Sequence, residues 1–311
     1  MTADQRAAPV VVAVDGSERS AGAVGYAITE ARIRRSGVRM VHVVPAPLPE
    51  SGLWPAEAGD IAYLERAGRG TVTREAEAAR AAAPEVDIEP VLALGPRVAQ
   101  LVAAGASGGL LVLGRETRHG AERLVARATT AEVAARATVP VAVVPAQWRD
   151  SGHNRIVVGI KTFTSAGELL TRALSVAACR HAVVRVVHAV EVPDLAADLG
   201  IADSYAGESV TAATRLLETV VHDWAVVYPG VSVETSVLLG RPDEVLVESA
   251  ADADVLMVAR HHRGLGHTAR LGRTPRAILN VCDTPVEVVP LRWKTSGVPI
   301  VLESDEEILK T

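Results

Sequence analysis

The stretch VVVAVDGS at residues 10–17 is an aliphatic run that ends in a short polar turn, and RIVVGIKT at residues 155–162 has the same form. Further segments recur in the same order in the two halves of the chain. They are MVHVV (40–44) with VVHAV (186–190), LALGPR (92–97) with LLGRPDE (238–244), LLVLGRETRHG (110–120) with VLMVARHHRG (255–264), and VPVAVVP (139–145) with TPVEVVP (284–290). Matched residues lie 145 or 146 positions apart, for example Pro140 and Pro285. The sequence therefore predicts two copies of one module.

Short aliphatic runs alternate with longer amphipathic segments within each copy. The runs VVVAV, MVHVV, IEPVLAL, LLVLG and VPVAVVP of the first copy have the length and the continuous apolar character of parallel strands buried on both faces. Apolar residues at helical spacing between the runs predict helices, among them 98–104, 122–137, 164–181, 206–227, 242–251 and 268–281. Strands that alternate with helices favour right-handed crossovers, so we expect a parallel sheet covered on both faces in each copy.

The repeat also predicts the domain boundaries. We expect the first domain at residues 1–146 and the second domain at residues 155–291. The segment between them, QWRDSGHN at 147–154, is short and polar, as linkers commonly are. Residues 292–311 are expected to form a C-terminal tail.

The composition of the 311-residue chain excludes several classes of protein. Hydrophobic residues make up 49% and charged residues 22%, which excludes global disorder. The net charge of -5 argues against a nucleic-acid partner, and the two cysteines cannot form a disulfide framework. No apolar run approaches the ~18 residues of a membrane span. The first residues lack the basic and apolar regions of a signal peptide, so we expect a cytoplasmic protein that has no membrane partner.

The last strand of each copy would be an exposed apolar edge. Such edges are aggregation hazards because they present unpaired main-chain groups to other chains. We therefore expect the final strands of the two copies to pair with each other within one chain. Glu287 interrupts the apolar pattern of the second of these strands, and we expect it to face solvent or a partner.

These motifs resemble those of one known family. The VAVDGS start, the VHVV second strand, the glycine-bearing segment after strand four and the final P-V-x-V-V-P strand are similar to the universal stress protein family, once in each half of the chain. The resemblance implies an α/β fold of two tandem Rossmann-like domains, each a five-stranded parallel sheet with helices on both faces. It implies a role in survival under starvation, oxidative or hypoxic stress. It also allows whole chains to associate as homodimers.

One branch of the family binds ATP with the pattern G-x2-G-x9-G-[ST], which this chain keeps only in part. Counted back from the last strand, the pattern positions of the first copy are Gly114, Thr117, Arg127 and Ala128. Those of the second copy are Ala259, His262, Gly272 and Arg273. Each copy keeps one glycine. Because glycines let main-chain N–H groups approach phosphates closely, the other side chains are expected to crowd a triphosphate.

The other residues that the resemblance assigns to a nucleotide are kept better in the first copy. Asp15, Val43 and Thr130 match the family's aspartate, its adenine-contacting valine and its hydroxyl residue. Their counterparts in the second copy are Lys161, Ala189 and Pro275. The resemblance thus implies an adenine nucleotide, ATP, in the first domain. The candidate binding residues are Asp15, Val43, Gly114, Arg127 and Thr130, with Gly272 in the second copy.

Two of these features have a simpler alternative. Asp15-Gly16-Ser17 is also typical of a tight turn that precedes a helix, since Asp and Ser favour turns and N-caps. The basic residues after strand four either replace the missing glycines as an anion site or form a solvated basic rim. In the first copy they are Arg115, Arg118, His119, Arg123 and Arg127.

No pattern of catalytic or metal-binding residues is found. The spacing of His261, His262 and His267 does not match a zinc site, and no cysteine pair lies near them. His42 and His188 lie within apolar runs and are expected to be hydrogen-bonded core histidines. No Ser/His/Asp or Cys/His arrangement can be assembled, so we expect neither a catalytic residue nor a metal ligand.

Two functional hypotheses remain open. The first is a non-enzymatic stress-response regulator that binds an adenine nucleotide in the first domain. The second is a scaffold of the same fold that binds no nucleotide and acts through protein contacts. Weak ATP hydrolysis is a third and less supported alternative, since no general base can be identified.

Overall fold

The computed structural model describes residues 7–17, 20–45, 58–115, 121–260 and 270–291. The predicted C-terminal tail and most of the two basic segments, residues 116–120 and 261–269, lie outside the described residues. The first domain contains β1 (Val10–Ala13), α1 (Ser20–Arg34), β2 (Val38–Val44), α2 (Ala58–Ala82), β3 (Ile88–Leu94), α3 (Arg97–Ala106), β4 (Leu110–Gly114), α4 (Ala121–Arg136) and β5 (Val141–Val144).

The second domain repeats this order with one additional short helix. It contains β6 (Arg155–Gly159), a 3-10 turn (Phe163–Ser165), α5 (Ala166–Arg180), β7 (Val183–Val190), α6 (Asp194–Asp198), α7 (Ala202–Val227), β8 (Val233–Leu239), α8 (Pro242–Ser249), β9 (Val255–Arg260), α9 (Arg273–Val281) and β10 (Val286–Pro290). The predicted start of the last helix at residue 268 is wrong, because residues 270–272 are not helical. The helix begins at Arg273, which places Pro275 in its first turn. The missing N–H of proline costs no hydrogen bond there, because the first N–H groups of a helix have no partner within it.

The ten strands of the described residues form one sheet in the order β3-β2-β1-β4-β5-β10-β9-β6-β7-β8. Neighbouring strands are parallel within each domain, which confirms the predicted fold class. β5 and β10 pair antiparallel at the centre, with Ala142 opposite Glu287. The two predicted apolar edges therefore cover each other within the chain, as the sequence analysis expects.

Alternate strand residues enter two apolar layers, one on each face of the sheet. On one face, α1 and α2 pack against the first domain's strands through residues such as Tyr26 and Val72, and α5 and α7 cover the second domain's strands. On the other face, a single cluster runs from Leu101 of α3 and Val133 of α4 to Ile278 of α9. This layer is continuous across the two domains, so they share a core.

The expectation that Glu287 faces solvent or a partner is wrong. Its side chain is only 1% exposed, and its carboxylate accepts two hydrogen bonds from the Arg172 guanidinium of α5, at 2.7 and 3.2 Å. β10 is an interior strand of the ten-stranded sheet, so a charged residue there is covered on both sides. A buried carboxylate of this kind requires a paired cation.

Gly22 of α1 fixes how closely that helix approaches the chain that leaves β5. Its N–H donates to the Ala146 carbonyl at 3.1 Å, and a Cβ atom would lie 2.1 Å from the Pro145 carbonyl oxygen. The backbone of α1 and the backbone of residues 145–146 cannot move apart to make room for a Cβ atom unless the helix separates from the sheet. The small residue is therefore required by packing.

We predict that Gly22→Ala lowers the free energy of unfolding by about 3 kcal/mol, because it overpacks this contact. Gly207→Ala in α7 is the matched control, since a Cβ there meets nothing within 4 Å. The control is expected to stabilise by about 0.5–1 kcal/mol through helix propensity. Urea denaturation of both variants measures the difference, and equal effects would contradict the packing argument.

Candidate functional site

The carboxyl ends of β1, β2 and β4 meet at one end of the first domain's sheet. The chain winds from β1 to β2 on one side, whereas β4 pairs with β1 on the other side. Such a reversal leaves a crevice beyond the strand ends, which is where doubly wound sheets bind ligands. A cavity of about 130 Å³ lies here.

Four of the six candidate residues line this cavity: Asp15, Val43, Gly114 and Thr130. Arg127 belongs to α4, less than one turn before Thr130, and its side chain lies outside the described part of the chain. Gly272 does not join them. It is the residue that precedes α9 in the second domain.

Asp15 is held at the mouth of the cavity by a tight turn. Its Oδ1 atom accepts hydrogen bonds from the Ser17 N–H at 3.0 Å and from the Ser17 and Ser20 hydroxyls at 2.5 and 3.2 Å. Gly16 has a φ of +80°, in the left-handed region that favours glycine. Asp15-Gly16-Ser17 therefore forms the tight turn that was the simpler alternative for this motif. The turn also holds the exposed Asp15 carboxylate in one orientation.

His42 and His188 have the same structural role in the two domains. The Nδ1 atom of His42 donates to the Val14 carbonyl at 2.9 Å, and that of His188 donates to the Ile160 carbonyl at 2.9 Å. A carbonyl can only accept, so each ring carries its proton on Nδ1. Both rings thereby join the second strand of a domain to the end of its first strand. The predicted hydrogen bonds are confirmed, but both histidines are only partly buried, and His42 also lines the cavity.

Apolar side chains form the inner wall of the cavity. Val43, Leu101 and Leu113 all line it and are all buried. They come from β2, α3 and β4. A wall of this kind suits a flat heterocyclic ring, whose faces gain free energy when they leave water.

Glu75 of α2 was not singled out by the sequence analysis. Burial raises the pKa of this carboxyl, and the Asp15 carboxylate raises it further against the opposing effects of Arg74 and His42. The two carboxyl groups are thus close enough for their charges to interact, although Glu75 is not part of the cavity lining. Nothing in the sequence indicates this proximity, because the two residues are 60 positions apart.

Arg97 and Arg115 bring positive charge to the lining of the cavity. Arg97 is the first residue of α3. It is also the last residue of the repeated motif LALGPR, so the repeat pointed to this position in the sequence. Arg115 follows Gly114 at the end of β4. The cavity is therefore lined by the Asp15 carboxylate at the end of β1 and by the Arg115 guanidinium at the end of β4.

Arg115 also contacts the second domain. Its guanidinium donates to the Cys282 carbonyl and to the Asp283 carboxylate, the latter at 2.8 Å. Cys282 follows the last residue of α9, so Arg115 caps the carboxyl end of that helix. The candidate site is thus linked directly to the domain interface.

The equivalent arginine of the second domain makes the reciprocal contact. Arg260 ends β9 and donates to the Ala134 and Ala135 carbonyls in the last turn of α4. Its side chain is buried, and burial lowers its pKa. Each domain therefore caps the last helix of the other with the arginine at the end of its fourth strand.

Comparison with known proteins agrees with this geometry. A model described as the universal stress protein family matches residues 8–145 and again residues 152–290. The chain belongs to the universal stress protein family. Two universal stress proteins of Mycobacterium tuberculosis are similar to it along their length. One is 29% identical over 90% of this chain and 96% of its own, and the other is 26% identical over 93% and 96%.

Solved structures of this family share the fold. A universal stress protein from Archaeoglobus fulgidus superposes with a TM-score of 0.64, covering 91% of this chain and 98% of its own, at 16% identity. Within the residues that the structure describes, no helix is long and apolar enough to cross a membrane. No group of three or more His, Cys, Asp or Glu side chains in the same ranges is arranged to hold a metal ion.

We predict that the two reciprocal arginines differ in their contribution to stability. Arg260→Gln should lower the free energy of unfolding by about 2 kcal/mol, since it removes buried charge-assisted bonds to helix carbonyls. Arg115→Gln should cost about 1 kcal/mol, because the Asp283 side chain is 88% exposed and screened by water. Arg136→Gln, which removes an exposed pair with Glu132, is the control and should cost less than about 0.5 kcal/mol. Chemical denaturation ranks the three, and a neutral Arg260 variant would contradict the capping role.

Proposed function

We propose that this universal stress protein binds an adenine nucleotide, ATP, in its first domain and works as a non-enzymatic stress-response regulator. The observation that carries the proposal is the cavity that collects Asp15, Val43, Gly114 and Thr130. These residues are separated in the sequence by up to 115 positions. The second domain has Lys161, Ala189 and Pro275 at three of the corresponding positions.

The chemistry of the cavity supports one orientation of the nucleotide. The adenine ring would lie against the apolar wall formed with Val43. The Asp15 carboxylate would accept hydrogen bonds from ribose hydroxyls, which are donors. The phosphates would point away from the acidic pair of Asp15 and Glu75, toward Gly114, Thr130 and Arg115, because like charges repel.

The size of the cavity limits what it holds. Pockets for small molecules usually measure ~300–1,000 Å³. The described cavity of about 130 Å³ suits the base and part of the ribose, so most of the phosphate chain would lie outside it. Arg127, which stands at a glycine position of the family pattern, and Arg115 would replace part of the missing main-chain contact to phosphate.

The second domain supports this assignment by contrast. Phe163 packs against His188 there, with ring centroids 4.9 Å apart and ring planes tilted by 43°. His188 is the counterpart of His42, which lines the cavity of the first domain. A large apolar ring beside this histidine leaves less room at the equivalent strand ends. We therefore propose one nucleotide per chain.

We predict that ATP binds the full chain with one site, and that Asp15→Asn weakens binding about tenfold. Loss of a charge-assisted hydrogen bond costs enough to account for this change. Lys161→Gln is the matched control in the second domain and should change the affinity by less than about twofold. Isothermal titration calorimetry gives both values. Equal effects of the two substitutions would refute the choice of domain.

The alternative function is a scaffold that binds no nucleotide. One observation favours it: the Arg115 guanidinium is already bonded to the Cys282 carbonyl and to Asp283 of the second domain. A phosphate would have to compete with these contacts. If neither heat nor a thermal shift is seen at millimolar ATP, the nucleotide proposal fails and the scaffold is favoured.

A further inference from the structure

Five buried or partly buried charged side chains lie along the junction of the two domains, on the face that carries α1 and α5. We call them the charged seam: Glu30, Arg34, Arg172, Arg180 and Glu287. Glu30 is at its centre, since its carboxylate accepts from Arg34 of its own helix and from Arg180 of the second domain. Arg180 also lies over the Tyr26 ring, 5.9 Å from its centroid.

The seam is formed by helices that correspond residue for residue. α1 and α5 are both 15 residues long, and each α5 residue lies 146 positions after its counterpart. Arg34 therefore corresponds to Arg180. Glu30, however, corresponds to Val176, so the central carboxylate is present in only one of the two helices.

The strands at the junction show the same asymmetry. Ala142 of β5 corresponds to Glu287 of β10, and the two residues are directly opposite each other in the antiparallel pair. The approximate twofold axis that relates the domains therefore passes between them. Two copies of the same domain, paired in this register, would place identical residues at this point.

Some contacts of the junction would fit any combination of domains. Arg115 and Arg260 are counterparts, and each caps the last helix of the opposite domain. The valines of β5 and β10 are likewise similar. These contacts stabilise pairing, but they do not distinguish a first domain from a second domain.

The charged seam does distinguish them. If two second domains paired, Val176 would replace Glu30 between two Arg180 side chains, and Glu287 would face Glu287. Each domain would then contribute two buried arginines, Arg172 and Arg180, and one carboxylate. Buried charges without partners are strongly destabilising, so this combination is unfavourable.

A pair of two first domains is unfavourable for a different reason. It would place Ala142 opposite Ala142 and Tyr26 at both Arg172 positions, so the volume of the Glu287 side chain would be missing from the centre of the junction. Removing that side-chain volume from a buried contact costs packing energy. The combination of a first with a second domain satisfies both the charges and the packing.

We propose that the charged seam is a recognition surface that makes the second domain specific for a first domain, with Glu30 as the residue that determines the choice. The partner that fits the α5 face is a helix that carries a buried glutamate, and α1 of the same chain supplies it. The arrangement directs the chain to close on itself and disfavours association of second domains with each other. The inference does not depend on nucleotide binding.

The ionisation of Glu30 is consistent with this role. Burial by itself raises the pKa of this carboxyl, but the Arg180 and Arg34 guanidiniums outweigh burial and hold the pKa below its usual range. Glu30 is therefore charged at neutral pH, as recognition by arginines requires.

The test is charge reversal in the full chain. Glu30→Arg and Arg180→Glu should each lower the Tm by roughly 10 °C, because each places like charges in a buried contact. The double variant Glu30→Arg/Arg180→Glu should regain most of that loss, since it restores one acid and one base. If the Tm losses of the two single changes simply add in the double variant, the proposal is overturned.

The exposed pair of Arg32 and Glu85 provides the matched control, because Arg32 lies on the same helix as Glu30. Arg32→Glu and Glu85→Arg should each shift the Tm by less than about 2 °C, as is usual for surface ion pairs. Comparable losses in both pairs would show that general charge effects, and not the seam, account for the result, which would overturn the proposal.

Partner choice itself is tested by mixing. The Glu30→Arg chain and the Arg180→Glu chain are unfolded together, refolded and analysed by native mass spectrometry. An exchanged dimer of one chain of each kind has an acid–base contact at both seams, whereas neither chain alone can form one. We expect this heterodimer in the mixture and not in either separate sample. Homodimers and heterodimer in the proportions expected for random pairing of the two chains would show that Glu30 does not determine the choice.

If charge reversal prevents folding, the carboxylate is moved instead. Glu30→Val should lower the Tm, and Glu30→Val/Val176→Glu should restore it. The approximate twofold axis places a glutamate at position 176 beside Arg180 on its own helix and beside Arg34 across the junction. Failure of Val176→Glu to restore the Tm would overturn the proposal in this arm as well.

Discussion

The pairing of β5 with β10 is the contact on which the rest of the structure depends. Two apolar strands that would each be an exposed edge become the centre of one ten-stranded sheet. Main-chain hydrogen bonds that water would otherwise satisfy are made within the protein, and the valines of both strands are buried. This pairing places α1 beside α5 and α4 beside α9, where further contacts between the domains are made.

The candidate ligand site is affected by this arrangement although its cavity lies within one domain. Arg115 lines the cavity and also caps α9 of the second domain. Under the proposed function, a phosphate that bound Arg115 would compete for its guanidinium with the Cys282 carbonyl and with Asp283. Occupancy of the site and the contact between domains would then be linked, and linkage of this kind acts equally in both directions.

The two copies have kept the same order of elements although most of their side chains differ. His42 and His188 still make the same hydrogen bond, and Arg115 and Arg260 still make reciprocal caps. Two of the differences bear on the candidate site and on the junction. Asp15 of the first domain corresponds to Lys161 of the second, so the two domains carry opposite charges at the end of their first strands. Glu30 corresponds to Val176, so the two sides of the charged seam differ as well.

The sequence by itself determined the α/β class, the duplication, the order of strands and helices and the pairing of the last strands. These follow from local patterns: aliphatic runs of strand length, helical spacing and a repeat of 145 or 146 residues. It also indicated four residues that the fold brings to one cavity. Only the tertiary structure decided that Glu287 is buried, that Glu75 lies near Asp15, and that Arg115 reaches the second domain. The physical reason is that burial and pairing of a charge depend on which side chain approaches from a distant element, and sequence periodicity carries no information about that neighbour.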